Sequence, residues 1–179
     1  MKATLFALFV GLLMVGCGND ATPVDSSTTP EVPESPKAID LDDKETRDKI
    51  IAEALDWDKL QKRGTKGEVL LYAPNDQTPY TGWSKLMYEN GRIRMLAQFK
   101  DGKRDGLATE WHENGKKWNE ANFKDGKPDG LVTIWYENGQ KQSEGNCKDG
   151  KEDGLHIFYK EDGSEVGRVT YKDGELVKD

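Results

Sequence analysis

Two histidines, two cysteines and a recurring set of aspartates are the residues through which this 179-residue chain could do chemistry. His112 and His156 stand 44 residues apart, and neither has a Cys or His neighbour at metal-ligand spacing. His112 precedes Glu113 where the corresponding stretches of the chain carry Tyr or Lys, and it reads as a surface turn residue. The aspartates recur as Asp101-Gly-x-x-Asp105-Gly, again at Asp125 and Asp129, and again at Asp149 and Asp153. Calcium takes roughly six to eight oxygen ligands. Two carboxylates per turn fall short unless neighbouring units share an ion, and the interleaved Lys103, Lys127 and Lys151 oppose a cation. The aspartates therefore read as turn formers. No Gly-x-Ser-x-Gly, phosphate loop or HExxH occurs, and nothing singles out a pair of acids for glycoside hydrolysis. The expectation is a protein that is not an enzyme, with no catalytic residue, no metal and no cofactor.

The elements that must position these residues come from an internal repeat. From Thr81 onward the sequence returns every 24 residues: Gly82, Gly106, Gly130 and Gly154 align, as do Gly91, Gly115, Gly139 and Gly163, and Gly102, Gly126, Gly150 and Gly174. Such a period means stacked supersecondary units. Each unit reads as a hairpin. A strand such as Leu131 to Tyr136 leads into Glu-Asn-Gly (Glu-Asp-Gly at 161–163), a preferred two-residue turn in which both positions tolerate positive φ. A second strand returns through Ala97–Phe99 or Ala121–Phe123, and Lys-Asp-Gly turns the chain into the next unit. Upstream, Glu68–Tyr72 and Thr78–Thr81 flank Pro74-Asn75-Asp76 and look like an incomplete first hairpin. About ten short strands at about 4.8 Å spacing give a sheet of roughly 48 Å. Trp111 and Trp135 (Met87 and Tyr159 in the outer copies), with Phe99, Phe123 and Tyr171, would stack into one aromatic stripe, either the core or a ligand groove. Cys147 stands in the Phe99 register and reads as a packed small hydrophobe. Trp83 and Trp118 fall outside the repeating aromatic registers and are candidates for exposed partner contacts.

Phe99-Lys-Asp-Gly-Lys-Arg-Asp-Gly106, Phe123-Lys-Asp-Gly-Lys-Pro-Asp-Gly130 and Tyr88-Glu-Asn-Gly91 resemble MORN repeats. They are closer to the bacterial variant of YwqK-type proteins, which are named as antitoxins of toxin–antitoxin systems, and Pro79-Tyr80-Thr81-Gly82 fits that variant too. The resemblance covers about Glu68 to Gly174. It implies a mainly β fold, an elongated single antiparallel sheet of stacked hairpins, and a scaffold for protein or membrane contact. Gly145, Lys160 and Ser164 depart from the other copies and suggest a less regular C-terminal end.

Ahead of the repeats the composition changes three times. Residues 1–16 begin with Lys2 and carry an apolar run from Leu5 to Val15, too short for a comfortable membrane span and suited to a secretory signal. Met14-Val15-Gly16-Cys17 resembles a bacterial lipoprotein signal, and that family implies acylation of Cys17. By the enterobacterial sorting rule the absence of an aspartate after Cys17 favours an outer membrane, where the organism has one. Residues 17–41, rich in Pro, Ser and Thr, read as a disordered tether. Residues 42–64 read as an amphipathic helix, acidic at its start (Asp42, Asp43, Glu45) and basic at its end (Lys59, Lys62, Arg63), with Gly64 as its stop. Ile50, Ala54 and Trp57 share one face. This helix is expected to cap the sheet or, through Trp57, to meet a partner. Residues 65–179 form the repeat domain. The formal net charge is −7, and −8 once a leader carrying Lys2 is removed, which disfavours nucleic acid as a partner.

The functional expectation is an exported, lipid-anchored envelope protein presenting a non-catalytic repeat scaffold to an unidentified protein or envelope component, of undetermined oligomeric state. The alternative is an antitoxin or immunity component.

Overall fold

The computed structural model describes residues 39–65 and 68–177. The expected leader, Cys17 and the expected tether up to residue 38 lie outside the described residues. The fold begins with helix α1 (Lys44–Glu53), a two-residue strand β1 (Leu55–Asp56), a 3-10 turn (Trp57–Lys59) and the strands β2 (Gln61–Thr65) and β3 (Glu68–Tyr72). The repeats follow as β4 (Gly82–Met87), β5 (Ile93–Lys100), β6 (Lys103–Trp111), β7 (Lys117–Lys124), β8 (Lys127–Trp135), β9 (Lys141–Lys148), β10 (Lys151–Tyr159), β11 (Glu165–Lys172) and β12 (Glu175–Leu176). The main sheet has ten strands in the order β1-β4-β5-β6-β7-β8-β9-β10-β11-β12. The mainly β architecture and the hairpin units are as the repeat predicts. The sheet is mixed rather than wholly antiparallel, because β1 pairs with β4 in parallel.

The two turn registers differ in kind. At Lys-Asp-Gly, Asp101 and Gly102 both have positive φ (49° and 79°), and Lys100 pairs with Lys103, which makes a two-residue hairpin turn. At Glu-Asn-Gly only the glycine has positive φ, 78° at Gly91. Gly91 N–H donates to the Tyr88 carbonyl (3.0 Å) and Tyr88 N–H to the Arg92 carbonyl (2.8 Å), so this is a three-residue loop closed by a glycine bulge. The expected two-residue turn at Glu-Asn-Gly is thus corrected. The asparagine is required for its side chain: Asn90 Oδ1 accepts from Arg92 N–H at 2.9 Å.

The expected helix over 42–64 is also corrected. Its start holds, since the Asp43 carboxylate accepts the Thr46 N–H at 2.7 Å, and this bond holds the Asp43 pKa below the ordinary range. It ends at Glu53, and Ala54 turns extended (ψ 138°). Helix propensity loses here to tertiary pairing: Leu55 and Asp56 join β4, and Trp57 packs on Phe99 with centroids 5.9 Å apart. Lys59 then bonds Asp56 and Arg63 the Asp76 carbonyl, so neither serves the end of α1, and Gly64 lies within β2. Similarly, β3 takes β2 as its ladder partner in a separate two-stranded sheet, and residues 78–81 add one bond to it, from Tyr80 N–H to the Leu71 carbonyl at 2.8 Å. The tether boundary at 41 moves too, because Leu41 is 1% exposed and belongs to the core.

The core is split between the two faces of the main sheet. On one face Leu41, Ala54, Leu96 and Trp111 cluster with Ile50, Ile51, Trp83, Ile93 and Leu107. On the other, Leu71, Ala97, Phe99 and Ala108 cluster with Trp57, Leu60, Tyr80 and Phe123. The expected single aromatic stripe is therefore two: the Trp111 register lies on the α1 face and the Phe99 register on the Trp57 face. A sheet presents alternate side chains to opposite sides, so the N-terminal segment wraps both. Burying a side chain such as Leu41 contributes about 1.5–3 kcal/mol.

Candidate interaction surface

Successive hairpins are joined along both ends of the strands by hydrogen bonds that recur with the repeat. At one end the hydroxyl of Tyr88 donates to the Trp111 carbonyl (2.7 Å) and that of Tyr136 to the Tyr159 carbonyl (2.9 Å). His112 occupies the same register, with Nε2 3.2 Å from the Trp135 carbonyl. A carbonyl only accepts, so Nε2 carries the proton. His112 is half-buried and bridges repeats, a correction to the surface-turn expectation. Asn114 and Asn138 extend the same edge by donating to the Glu137 and Glu161 carbonyls at 2.9 and 2.7 Å.

At the other end the second aspartate of each Asp-Gly-x-x-Asp-Gly reaches the next turn. Asp105 accepts the N–H of Asp125 and Asp129 that of Asp149 (3.2 Å each), while Asp153 accepts that of Asp173 (3.3 Å). Thr81 fills this role for Asp101 at 3.0 Å. These carboxylates cap backbone donors whose own residues have the positive φ of the turn. Among the described residues no group of three or more His, Cys, Asp or Glu is placed to hold a metal ion. The sequence carries the signal for this role, an oxygen-bearing side chain at 81, 105, 129 and 153, beside the turn chemistry expected of these residues.

The structure separates the three tryptophans singled out as contacts. Trp57 and Trp83 are half-buried and pack against opposite core clusters. Trp118 is 44% exposed and stands 6.3 Å from the His112 ring. Cys17 lies outside the described residues. Cys147 is half-buried in the Phe99 register, and burial followed by the nearby Glu152 pushes its thiol pKa up, which disfavours the reactive thiolate.

The surface that sequence reasoning missed is the later part of the α1 face. Leu107, Leu131 and Leu155 hold one register, paired across strands with Asn122, Asn146 and Thr170. Leu107 packs into the Leu41 cluster, whereas Leu131 is 49% and Leu155 42% exposed. Trp135 and Tyr159, in register with the buried Trp111, are likewise only half-covered. Polar groups flank them. Glu144 accepts from Lys141 Nζ (2.6 Å) and Tyr159 Oη (2.7 Å), which in that order hold its pKa below the ordinary range. Lys117, at the covered edge, has burial working against its charge, but bonds to Glu120 and Asp42 outweigh burial and raise its pKa.

A sheet built of 24-residue hairpins, each bonded to the next at both ends, defines a repeat protein with extended sheet faces. The family model described as MORN repeat variant matches residues 104–125 and 128–149, which correspond to the hairpins β6–β7 and β8–β9. These two hairpins are thus similar to MORN-variant repeats. No curated protein matches the chain. Among the described residues no helix is long and apolar enough to cross a membrane.

Proposed function

We propose that the protein is a non-catalytic repeat scaffold, held at the cell envelope by a lipid on Cys17, that docks a protein or envelope component on the uncovered part of its α1 face. The observation that carries the docking surface is the contrast within one register: Leu107 lies under the Leu41 cluster while Leu131 and Leu155 stand free. Exposed apolar groups rimmed by polar ones favour association. The exposed Trp118 is a further contact. The anchor is supported by the Leu5–Val15 run and Met14-Val15-Gly16-Cys17, and the tether by the composition of the segment that follows.

The test is in-cell crosslinking combined with fatty-acid labelling, on the wild type, Cys17→Ala and a Leu131→Ser/Leu155→Ser double variant. The wild type is expected to carry label and to crosslink to an envelope component. Cys17→Ala should lose the label, and the double variant should keep the label and its fold while losing the crosslink. Crosslinks that survive the double variant would sink the docking surface. An unlabelled, cytosolic wild type would overturn the anchor and bring forward the antitoxin reading suggested by the YwqK-type resemblance.

A further inference from the structure

We infer that the cleft between the β2–β3 hairpin and the Trp57 face of the main sheet is a binding site for a monocarboxylate with an apolar body, anchored by Arg104. This goes beyond the scaffold reading and lies on the opposite face of the sheet from the surface proposed there.

The cleft is open to solvent on one side and has a volume of about 750 Å³, within the rough 300–1,000 Å³ span of small-molecule sites. Trp57, Val69, Leu71 and Phe99 supply its apolar walls. The Arg104 guanidinium lies 5.7 Å from the Trp57 ring centre and 5.4 Å from that of Phe123. Among the described residues its one side-chain hydrogen bond is to a weak acceptor, Met95 Sδ, at 3.6 Å. Among the described residues no carboxylate stands within ion-pair distance of it, while its neighbour Lys103 is paired with Glu68 at 2.9 Å. A half-buried guanidinium has five N–H donors, and nearly all of them remain unspent among the described residues.

The fold does not ask for this arginine. The same register holds Pro128 and Glu152, and what the repeat uses there is the backbone: the carbonyls of Arg104, Pro128 and Glu152 accept from Gly126, Gly150 and Gly174. Trp57 and Leu71 belong to the non-repeating segment, so the cleft exists only where that segment meets the repeats.

The charge balance selects the ligand. Three cations, Lys62, Lys103 and Arg104, face two carboxylates, Glu68 and Asp125, so the lining carries one net positive charge. A single carboxylate neutralises it, whereas a phosphate dianion would overshoot and meet Asp125. Rings near the guanidinium orient its plane and leave its N–H edge for bidentate contact with a planar carboxylate. The carboxylate could belong to a free organic acid or to a peptide C-terminus.

The experiment is isothermal titration calorimetry on the full chain. The probes are N-acetyl-phenylalanine, its amide, hexanoate, a tetrapeptide with a free C-terminal phenylalanine, and inorganic phosphate. N-acetyl-phenylalanine should bind, the amide should be weaker by about tenfold or more, and Arg104→Gln should weaken the acid by a similar factor. Hexanoate matching the tetrapeptide would point to a free acid, and a tighter tetrapeptide to a chain terminus; both support the inference. Arg104 also packs on aromatic rings, so thermal melting accompanies each variant, and the exposed Lys62→Gln decides the matter if Arg104→Gln unfolds. Weakened acid binding in Lys62→Gln then supports the site, and unchanged binding overturns it. Equal binding of acid and amide, a folded Arg104→Gln with full affinity, tighter binding of phosphate, or no heat from any carboxylate would each overturn it.

Discussion

The imidazole of His156 fills the space that a side chain at residue 145 would need: a Cβ on Gly145 would lie 2.2 Å from His156 Nδ1. The two residues face each other across β9 and β10. The equivalent pairs are Ala97 with Ala108 and Ala121 with Val132, so the third hairpin exchanges a small–small or small–medium pair for glycine and histidine. His156 is held there by Nε2, 2.9 Å from the Asn146 carbonyl, and by an edge-on Tyr171 ring 5.0 Å away.

Gly145→Ala should therefore destabilise the protein by about 1–3 kcal/mol, the usual cost of overpacking. Adding His156→Val, which recreates the Ala121–Val132 pair, should recover most of the loss. A urea-denaturation double-mutant cycle measures the coupling. Additive losses would mean that the glycine is needed for some reason other than the imidazole.

The capping role of the second aspartate predicts a small, local effect. Asp129→Ala removes the acceptor of the Asp149 N–H and should cost about 0.5–1.5 kcal/mol by chemical denaturation. Asp129→Thr places a hydroxyl where Thr81 has one and should restore part of it. Because these carboxylates are directed at backbone N–H groups, millimolar calcium should leave the melting temperature unchanged. A calcium-dependent rise that Asp129→Ala abolishes would contradict this account.

Acid should weaken the fold through carboxylates paired in the native state. Lys141 and then Tyr159 depress the Glu144 pKa, Lys172 and then the Asp173 N–H depress that of Asp153, and Arg168 that of Glu165. A depressed folded pKa means that the unfolded chain binds protons first as pH falls. The stabilisation is present above the ordinary carboxylate range, about 3.9–4.3, and is lost as pH falls through the folded values below it. Denaturation midpoints should stay level from neutral pH down to about 5 and then drop. Glu144→Gln should lower the neutral midpoint and flatten that drop, whereas an unaltered profile would show that the Lys141–Glu144–Tyr159 cluster contributes nothing.

The repeat itself was legible in the chain, because its demands are local. Glycine at three registers marks backbone conformations that other residues adopt only at a cost, and 24-residue periodicity fixes which strands are neighbours. Local signals also placed the helix start at residue 42, one residue before the observed N-cap Asp43. They failed at the helix end. Residues 54–63 carry helix-compatible side chains, but pairing Leu55 with Ser84 and burying Trp57 against Phe99 are contacts made by residues distant in sequence, and these outweigh a propensity of tenths of a kcal/mol per residue. The same holds for the surfaces. The sequence set Leu107, Leu131 and Leu155 in one register and made them equivalent. Only the tertiary structure decided that the first is covered and the others are not, since that depends on where Leu41 and α1 come to rest. Likewise nothing in the sequence sets Arg104 apart from the turn residues around it, and its place in a cleft, with no carboxylate partner among the described residues, appears only once the non-repeating segment has folded over it.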